Sequence, residues 1–346
     1  MIKYIGSKRA LLDHIVAGIA HSLPEGGSVC DLFSGTSRVG HALKGEGFQV
    51  WSNDHNAYAH TLATAYVQAD EERWSARAAK VVAELRDVKP ADGWFTQAVC
   101  RDARFIHPDN GARIEGIRNR IAAMEMEPEL EAIALVSLME AADRVDSTAG
   151  IQMAYMKRWA PRALNSLELR MPVLQPAVAA GPCRATRADA LETAAAFDGD
   201  LVYLDPPYNQ HSYLGNYHVW ESLILWDQPE TYGIANKRID VKTRKSAFNS
   251  RPGIEPALRS VIDAIRAPNL IVSFNDEGYL SRQQLVEMLS ARGHVSVVEI
   301  ARPRYVGARI GIHNPKGEKV GQVGRLKNIE YLFIVTDRRL DLADAA

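Results

Sequence analysis

Short apolar segments rich in β-branched and aromatic residues recur along the chain and predict the strands of a sheet. Most of them are nearly continuous in apolar character, which is typical of strands covered on both faces. The six clearest are Ser28 to Phe33, Gln49 to Asn53, Leu201 to Asp205, Leu270 to Phe274, Val295 to Ile300 and Tyr331 to Thr336. The pattern therefore predicts a sheet buried between two layers.

Amphipathic segments with helical spacing lie between several of these strands. Three of them, Lys8 to Ser22, Val39 to Gly45 and Ser281 to Arg292, place apolar residues three and four positions apart. Strands that alternate with helices are typical of an α/β protein with a doubly wound, mostly parallel sheet. We expect this fold for residues 1–58 and 183–346.

The segment 59–182 breaks the alternation and is predicted to be a helical insertion, because it is rich in Ala, Glu, Arg, Leu and Met and has few strand signals. Its predicted helices are Glu71 to Arg86, Gly111 to Met124 and Pro128 to Arg144. Two irregular segments follow later in the chain. Gly233 to Gly253 is polar and basic, and the glycine-rich Arg302 to Arg325 lies between two predicted strands, which favours a long hairpin.

Composition narrows the class of protein without identifying a partner. With 346 residues, of which 47% are hydrophobic and 24% charged, the chain can bury a substantial core. The formal net charge of −1 means that any nucleic-acid surface must be a local basic patch. No apolar run is long enough to cross a membrane and the first residues lack a secretory signal, so we expect a cytoplasmic protein. The three cysteines are widely spaced, which disfavours disulfides and structural zinc.

The first candidate site is a strand, glycine turn and helix at Asp31 to Ser37. Gly35 lets the backbone turn tightly beside a ligand, as in nucleotide-binding turns, although many such turns serve only packing. The next predicted strand is followed by Asp54, where an acid can accept both hydroxyls of a ribose. Capping of the following helix is the structural alternative for Asp54.

Two weaker cofactor signals lie outside that turn. The segment Tyr4 to Arg9 precedes a helix, and the ammonium of Lys8 could meet the carboxylate of an amino-acid-bearing cofactor. Asp189 stands near a further strand end. Its carboxylate is suited either to hydrogen-bond an adenine amine or to cap the helix that begins near Leu191.

The most specific signal is the buried strand that runs into Asp205, Pro206, Pro207 and Tyr208. The paired prolines fix φ and hold the strand end stiff with free carbonyls. An adenine amine becomes nucleophilic only when acceptors take its two N–H bonds, and the Asp205 carboxylate and Pro206 carbonyl are two such acceptors. Tyr208 would stack on a base that has left the duplex. This chemistry requires no metal.

These motifs resemble those of the DNA adenine-N6 methyltransferase family in which the cofactor motifs precede the catalytic motif. The resemblance spans most of the chain and implies a Rossmann-like doubly wound sheet, S-adenosylmethionine as cofactor and double-stranded DNA as substrate. It implies that the cofactor is bound by Tyr4, Gly6, Lys8, Asp31, Phe33, Ser34, Gly35, Thr36, Ser37, Asp54, Asp189 and Asp205. It assigns the target amine to the motif Asp205 to Tyr208.

One position departs from the family pattern. Ser37 stands where the family usually has a second glycine, although serine suits a helix N-terminus. The family also places target recognition between its cofactor and catalytic halves, which implies a DNA-binding role for residues 59–182. The recognised sequence, the oligomeric state and the existence of a partner restriction enzyme stay open.

Basic residues crowd the segment Gly233 to Gly253 and favour phosphate contacts there, although a solvated loop has the same composition. They are Lys237, Arg238, Lys242, Arg244, Lys245 and Arg251. Because the segment has little apolar content, we expect it to be mobile without DNA. Arg302, Arg304 and Arg309 form a second, weaker candidate.

Other functions remain open at this point. Cytosine N4 methyltransferases use the same geometry but more often have serine at the position of Asp205, which favours adenine. Structured RNA is a more distant substrate, and the enzymes that methylate protein glutamine typically have asparagine there. A catalytically silent DNA-binding module would have no chemical need for Asp54 and Asp205 together.

Overall fold

A computed structural model describes residues 1–153, 156, 158–303 and 327–338. Within these residues, seven strands form one sheet in the order β3-β2-β1-β4-β7-β9-β8. They are β1 (Ser28–Asp31), β2 (Gln49–Asn53), β3 (Arg184–Thr186), β4 (Leu201–Leu204), β7 (Asn269–Asn275), β8 (His294–Pro303) and β9 (Lys327–Thr336). A separate small hairpin consists of β5 (Thr231–Tyr232) and β6 (Lys237–Arg238).

The sheet is mostly parallel, as the sequence predicts. The pairs β3–β2, β2–β1, β1–β4 and β4–β7 are parallel, whereas β9 runs antiparallel to both β7 and β8. In the β8–β9 pair, His294 lies opposite Thr336 and Pro303 lies opposite Lys327, which confirms the antiparallel arms of the predicted hairpin. Arg304 and Arg309, in the predicted connection, lie outside the described residues.

The helices flank this sheet and also make up the segment between β2 and β3. They are α1 (Leu12–Ser22), α2 (Arg38–Gly45), α3 (Ala57–Ala63), α4 (Glu71–Arg86), α5 (Pro108–Ala123), α6 (Pro128–Arg144), α7 (Ala190–Ala196), α8 (Tyr213–Asn216), α9 (His218–Leu225), α10 (Arg251–Ala264) and α11 (Arg282–Leu289). Helices α4 and α6 have the predicted bounds. In both α5 and α6 a proline occupies the first turn, where its missing N–H has no intrahelical partner to lose.

Alternating strand residues face two separate apolar cores, one on each side of the sheet. Val29 and Tyr203 face the core that contains α1, whereas Cys30 and Val202 face the core that contains α10 and α11. Because both faces are covered, the central strands are apolar on both sides. This explains the nearly continuous apolar segments in the sequence.

The helical segment shares the first of these cores. Ile133 and Leu138 of α6 belong to the same buried cluster as Val29. Polar contacts add to this packing. The fully buried ammonium of Lys44 donates to the carbonyl of Val67 at 2.9 Å. The predicted insertion is therefore continuous with the body of the protein, and its predicted first boundary, between residues 58 and 59, falls inside α3.

The order in which the strands are added to the sheet reverses between β1 and β4, which run parallel to each other. From β1 the order runs outward through β2 and β3, and from β4 it runs the other way through β7. In open α/β sheets a crevice opens at this point, beyond the carboxyl ends of the strands, and ligands bind there. None of the described helices combines the length and the apolar character that crossing a bilayer would require.

Candidate functional site

A cavity of about 460 Å³ lies beyond the carboxyl ends of β1, β2 and β4, which is a usual size for a small-molecule site. The sequence predicts its parts separately, and the fold brings them together. Its lining includes Tyr4, Gly6, Lys8, Asp31, Phe33, Ser34, Gly35, Thr36, Asp54, Asp189, Asp205 and Pro207. Nearly every residue predicted to bind the cofactor thus lines a single cavity.

The glycine turn after β1 has two features that force a tight path. Gly35 has φ of +50°, and a Cβ added there would lie 3.4 Å from the Tyr4 ring. Ser37 has φ of +57°, a left-handed conformation that glycine adopts most easily. The Ser37 side chain makes no capping hydrogen bond to α2, and its hydroxyl is buried without a partner among the described residues. The expectation that serine acts here as a helix cap is therefore wrong, and the family's glycine has a conformational reason.

Asp54 fastens the turn to the neighbouring strand. Its Oδ2 accepts a hydrogen bond from the Gly35 N–H at 3.0 Å, and its Oδ1 accepts one from the Asn56 N–H at 2.9 Å. Asn56, not Asp54, occupies the position before α3. Burial raises the pKa of Asp54. The carboxylate therefore belongs to the cavity wall, and it is not the cap of the following helix.

Asp31 is the most deeply buried acid of the cavity. It is 1% exposed, and its Oδ2 has no hydrogen-bond partner among the described residues. Burial, reinforced by the nearby charge of Asp205, raises the pKa of Asp31 to about 8. An unpartnered buried carboxyl of this kind is stabilised by a cationic ligand.

Asp205 follows β4 and forms an ion pair with Lys8, whose ammonium lies 2.9 Å from Oδ1. Burial lowers the pKa of Lys8, but the carboxylates of Asp205 and Glu330 outweigh this effect and raise it above its ordinary value. Lys8 thus carries its charge and fixes one oxygen of Asp205. The amine predicted to meet a cofactor carboxylate contacts the acid of the motif Asp205 to Tyr208, and it also lines the cavity.

Tyr208 follows β4, and its side chain is positioned by residues of the neighbouring strand β7. Its hydroxyl accepts a hydrogen bond from the Asn275 Nδ2 at 3.0 Å, and its ring centroid lies 5.3 Å from that of Phe274. The side chain is 9% exposed. Both Phe274 and Asn275 belong to β7, so the position of the ring depends on a contact that the local sequence does not reveal.

A second aromatic group near the motif is one that the sequence patterns do not predict. The Tyr213 ring lines the cavity and stacks on Tyr4, with centroids 5.0 Å apart and planes 5° apart. Tyr217 stacks on the same Tyr4 ring at 4.5 Å. The signal that could have found Tyr213 is Ser212, which caps the short helix α8 directly after the catalytic motif.

Asp189 has the capping role that the sequence left open, and its position leaves the cofactor role a prediction. It caps α7, with its Oδ1 accepting from the Leu191 N–H at 2.8 Å, and it also lines the cavity. Phe33 and Phe248 meet edge to face nearby, with centroids 5.2 Å apart, and both line the same space. An apolar aromatic surface and an acid on the lining of one cavity are suited to a nucleobase that carries an amine.

A family model described as D12 class N6 adenine-specific DNA methyltransferase matches residues 4–288, most of the chain. The chain belongs to this family. Its relatives include the type II methyltransferase M.NlaIII of Neisseria lactamica, which is 27% identical over 96% of this chain and 99% of that protein. M.FokI of Planomicrobium okeanokoites is 29% identical over 88% of this chain, which spans 49% of M.FokI. Modification methylase LlaI of Lactococcus lactis subsp. lactis is 25% identical, and this chain spans 53% of it.

In the basic segment Gly233 to Gly253 of the methyltransferase, two arginine side chains are held in ion pairs that the composition does not reveal. Arg238 is 4% exposed and donates two hydrogen bonds of 2.7 Å to Asp227. Arg244 donates to the fully buried Glu221 at 2.9 Å. Arg238 is thus buried in an ion pair, which contradicts its predicted phosphate contact, whereas Arg244 is paired but its side chain is still 20% exposed. Lys242 and Lys245 remain exposed.

The same segment of the methyltransferase is also anchored, contrary to the expectation of a mobile loop. Phe248 is 8% exposed, and the Asn249 side chain donates to the carbonyl of Asn209 at 2.8 Å. Residues 244–249 line the cavity. This segment therefore forms a wall of the candidate active site, a position that follows from the tertiary fold and not from composition.

Proposed function

We propose that this protein transfers the methyl group of S-adenosylmethionine to the N6 amine of an adenine within a specific sequence of double-stranded DNA, after the base has rotated out of the duplex. The observation that carries this proposal is the convergence of Asp31, Asp54 and Asp205 on one cavity. A silent DNA-binding module has no need for this combination.

The cavity fits the chemical groups of S-adenosylmethionine. The unpartnered Oδ2 of Asp31 suits the cofactor's ammonium. Asp54 accepts two hydrogen bonds at Oδ1 and one at Oδ2, which leaves a lone pair of Oδ2 for a ribose hydroxyl. The apolar surface that Phe33 and Phe248 present to the cavity suits one face of the adenine ring, with the Oδ2 of Asp189 on the same cavity lining for its amine. When bound, S-adenosylmethionine supplies a methyl group already activated by its sulfonium, so the protein's contribution is mainly orientation.

Asp205 and Pro206 act on the target amine. The lone pair of that amine is delocalised into the ring, and two acceptors on its N–H bonds favour the pyramidal, nucleophilic form. Lys8 engages Oδ1 of Asp205 and leaves Oδ2 for the amine. Because the site is largely shielded from water, these fixed acceptors interact strongly with charge that develops during transfer.

The target base must enter this cavity from outside the DNA stack. A base inside a duplex cannot present its amine to an acid at the end of a buried strand, and enzymes that modify bases extrude them for this reason. Tyr208, braced by Phe274 and Asn275, supplies the aromatic surface on which the extruded adenine stacks. The helical segment 59–182 and the exposed Lys242 and Lys245 contact the surrounding DNA.

Methylation-sensitive sequencing of plasmid DNA from cells that express the protein tests this function directly. The expected result is N6-methyladenine in one defined sequence context, absent when the Asp205→Ala variant is expressed. Modified cytosine, or no modified base, would contradict the proposal. The relatives' names as modification and type II methyltransferases favour a role in restriction-modification, with a restriction enzyme of the same specificity as the partner.

A further inference from the structure

A second concave surface adjoins the candidate active site on the side of the N-terminus. It encloses about 550 Å³ and shares Tyr4, Ser7 and Arg38 with the first cavity. Its other lining residues are Met1, Ile2, Lys3, Ile5, Arg9, Thr148, Ala149, Gly150 and Arg162. We call this surface the N-terminal groove. It therefore lies next to the cavity in which the target base is proposed to bind.

The charge that lines the N-terminal groove is entirely positive in the part of the chain that the structure describes. The acids behind it are already paired. Glu140 holds the N-terminal ammonium, and Asp146 binds Lys3 at 2.8 Å and Arg162 at 2.7 Å. These ion pairs engage three of the five cations that line the groove.

Arg9 and Arg38 are left without an ion pair among the residues described. Arg9 is exposed, while Arg38 is half-buried, and its Nε is enclosed without a hydrogen-bond partner. Burial lowers the pKa of Arg38, and the charge of Arg9 lowers it further, so the two guanidinium groups repel each other across the groove. An anion placed between them would relieve that repulsion.

We infer that Arg9 and Arg38 form a binding site for a backbone phosphate of the DNA strand that carries the target adenine, next to the extruded nucleotide. Guanidinium groups match the oxygens of a phosphodiester in a paired geometry that an ammonium cannot provide. This inference rests on the proposed function, because the phosphate belongs to the substrate of that reaction.

The position of the two arginines agrees with such a role. Arg9 directly follows Lys8, which contacts Asp205, and consecutive Cα atoms lie only about 3.8 Å apart. Arg38 directly follows the glycine turn and lines both the groove and the first cavity. A strand whose base reaches Asp205 therefore passes these two side chains.

The test combines protein variants with neutral DNA linkages. The probe is a short duplex that carries the adenine site identified by plasmid sequencing, either unmodified or with an uncharged methylphosphonate on each side of the target adenine. For the unmodified duplex, Arg9→Ala and Arg38→Gln should each weaken binding roughly three- to tenfold and lower the slope of log affinity against log salt by about 0.9. Arg9→Lys and Arg38→Lys should recover most of the slope.

The neutral linkage provides the specific readout. It should weaken binding by the wild-type protein but add little further weakening in the Arg9→Ala/Arg38→Gln double variant, because both changes remove the same interaction. Arg282→Ala, which removes an exposed arginine paired with Glu299 on the far edge strand, should behave like wild type. S-adenosylmethionine affinity should stay unchanged in the arginine variants.

Two results would overturn the inference alone while methylation persists. One is an additive effect of the neutral linkage and the arginine variants on binding. The other is a loss of S-adenosylmethionine affinity in Arg38→Gln with an unchanged salt slope, which would assign Arg38 to the cofactor. Failure of the wild-type protein to methylate any adenine would overturn the proposed function, and the phosphate site with it.

Discussion

The ion pair between Asp205 and Lys8 makes two effects testable at one position, one on methyl transfer and one on stability. Asp205→Ala should reduce methyl transfer by about 100- to 1000-fold, because it removes one of two fixed acceptors, while S-adenosylmethionine still binds. The variant should also be less stable, since it leaves the ammonium of Lys8 buried without a partner, at a cost of about 3–5 kcal/mol. Single-turnover methylation, calorimetry and thermal unfolding measure these effects separately.

A second variant separates chemistry from folding at this position. Lys8→Met combined with Asp205→Ala removes both charges and should recover much of the stability without recovering transfer. If the double variant regained activity, the poor transfer by Asp205→Ala would reflect misfolding, and the acceptor role would be wrong.

The raised pKa of Asp31 predicts how the stability of the cofactor-free protein depends on pH. Its pKa is about 8 in the folded chain and about 4 in an unfolded one, so the folded state holds a proton that the unfolded state releases. The contribution of Asp31 to stability is therefore fully present below about pH 4 and disappears as the pH rises through about 8. We expect Asp31→Asn to unfold at a higher temperature than wild type at pH 8, and the difference to shrink towards acidic pH.

S-adenosylmethionine provides the control for this prediction. Its ammonium should favour the ionised form of Asp31, so saturating cofactor should stabilise wild type more than Asp31→Asn at pH 8. Equal stabilisation of both proteins by the cofactor would show that Asp31 does not contact the ammonium. If the melting temperatures of wild type and Asp31→Asn changed in parallel across the pH range, the raised pKa of Asp31 would be contradicted.

The strand–turn–helix element around Gly35 carries strain at Ser37. A non-glycine residue at φ of +57° has a conformational penalty, and here the buried hydroxyl also lacks a partner among the described residues. Ser37→Gly should therefore raise the free energy of unfolding by about 1 kcal/mol. Ser34→Gly is the matched control, because Ser34 lies in the same turn without a positive φ and should lose stability. Destabilisation of both variants in denaturant titrations would contradict the strain argument.

The basic segment between β6 and α10 contains cations of two kinds. Lys242→Ala with Lys245→Ala should leave the melting temperature nearly unchanged and lower the salt slope of DNA binding by about 0.9 for each phosphate that the protein no longer neutralises. Arg244→Ala should instead lower the melting temperature, because it removes a partner of the fully buried Glu221. If the double lysine variant and wild type had the same slope of log DNA affinity against log salt, the two lysines would be solvated surface residues without a role in DNA binding.

The whole molecule is predicted to unfold as one unit, because the helical segment and the sheet share a buried core. Trp74 in α4 and Trp220 in α9 are both buried in that core. Tryptophan fluorescence and far-ultraviolet circular dichroism should therefore report the same thermal transition, and an isolated 59–182 fragment should not fold stably. Separate transitions, or a cooperatively folded fragment, would show that the segment is an independent domain.

Local patterns in the sequence were enough to predict the elements and most of the cavity's residues. Strand positions follow from apolar segments that are covered on both faces, and the bounds of α4 and α6 follow from helical periodicity with a proline or acid at the start. Asp31, Gly35, Asp54 and Asp205 could be found because strand ends and sharp turns leave local signals in the chain.

The pairing of charges, in contrast, is a property of the tertiary fold. Lys8 meets Asp205, Arg238 meets Asp227, and Arg244 meets Glu221, and each of these pairs joins residues that are separated along the chain. Composition alone could not separate these ion-paired arginines from the exposed Lys242. The physical reason is that backbone propensity is a local property, whereas burial and ion pairing depend on which distant segments the folded core brings together.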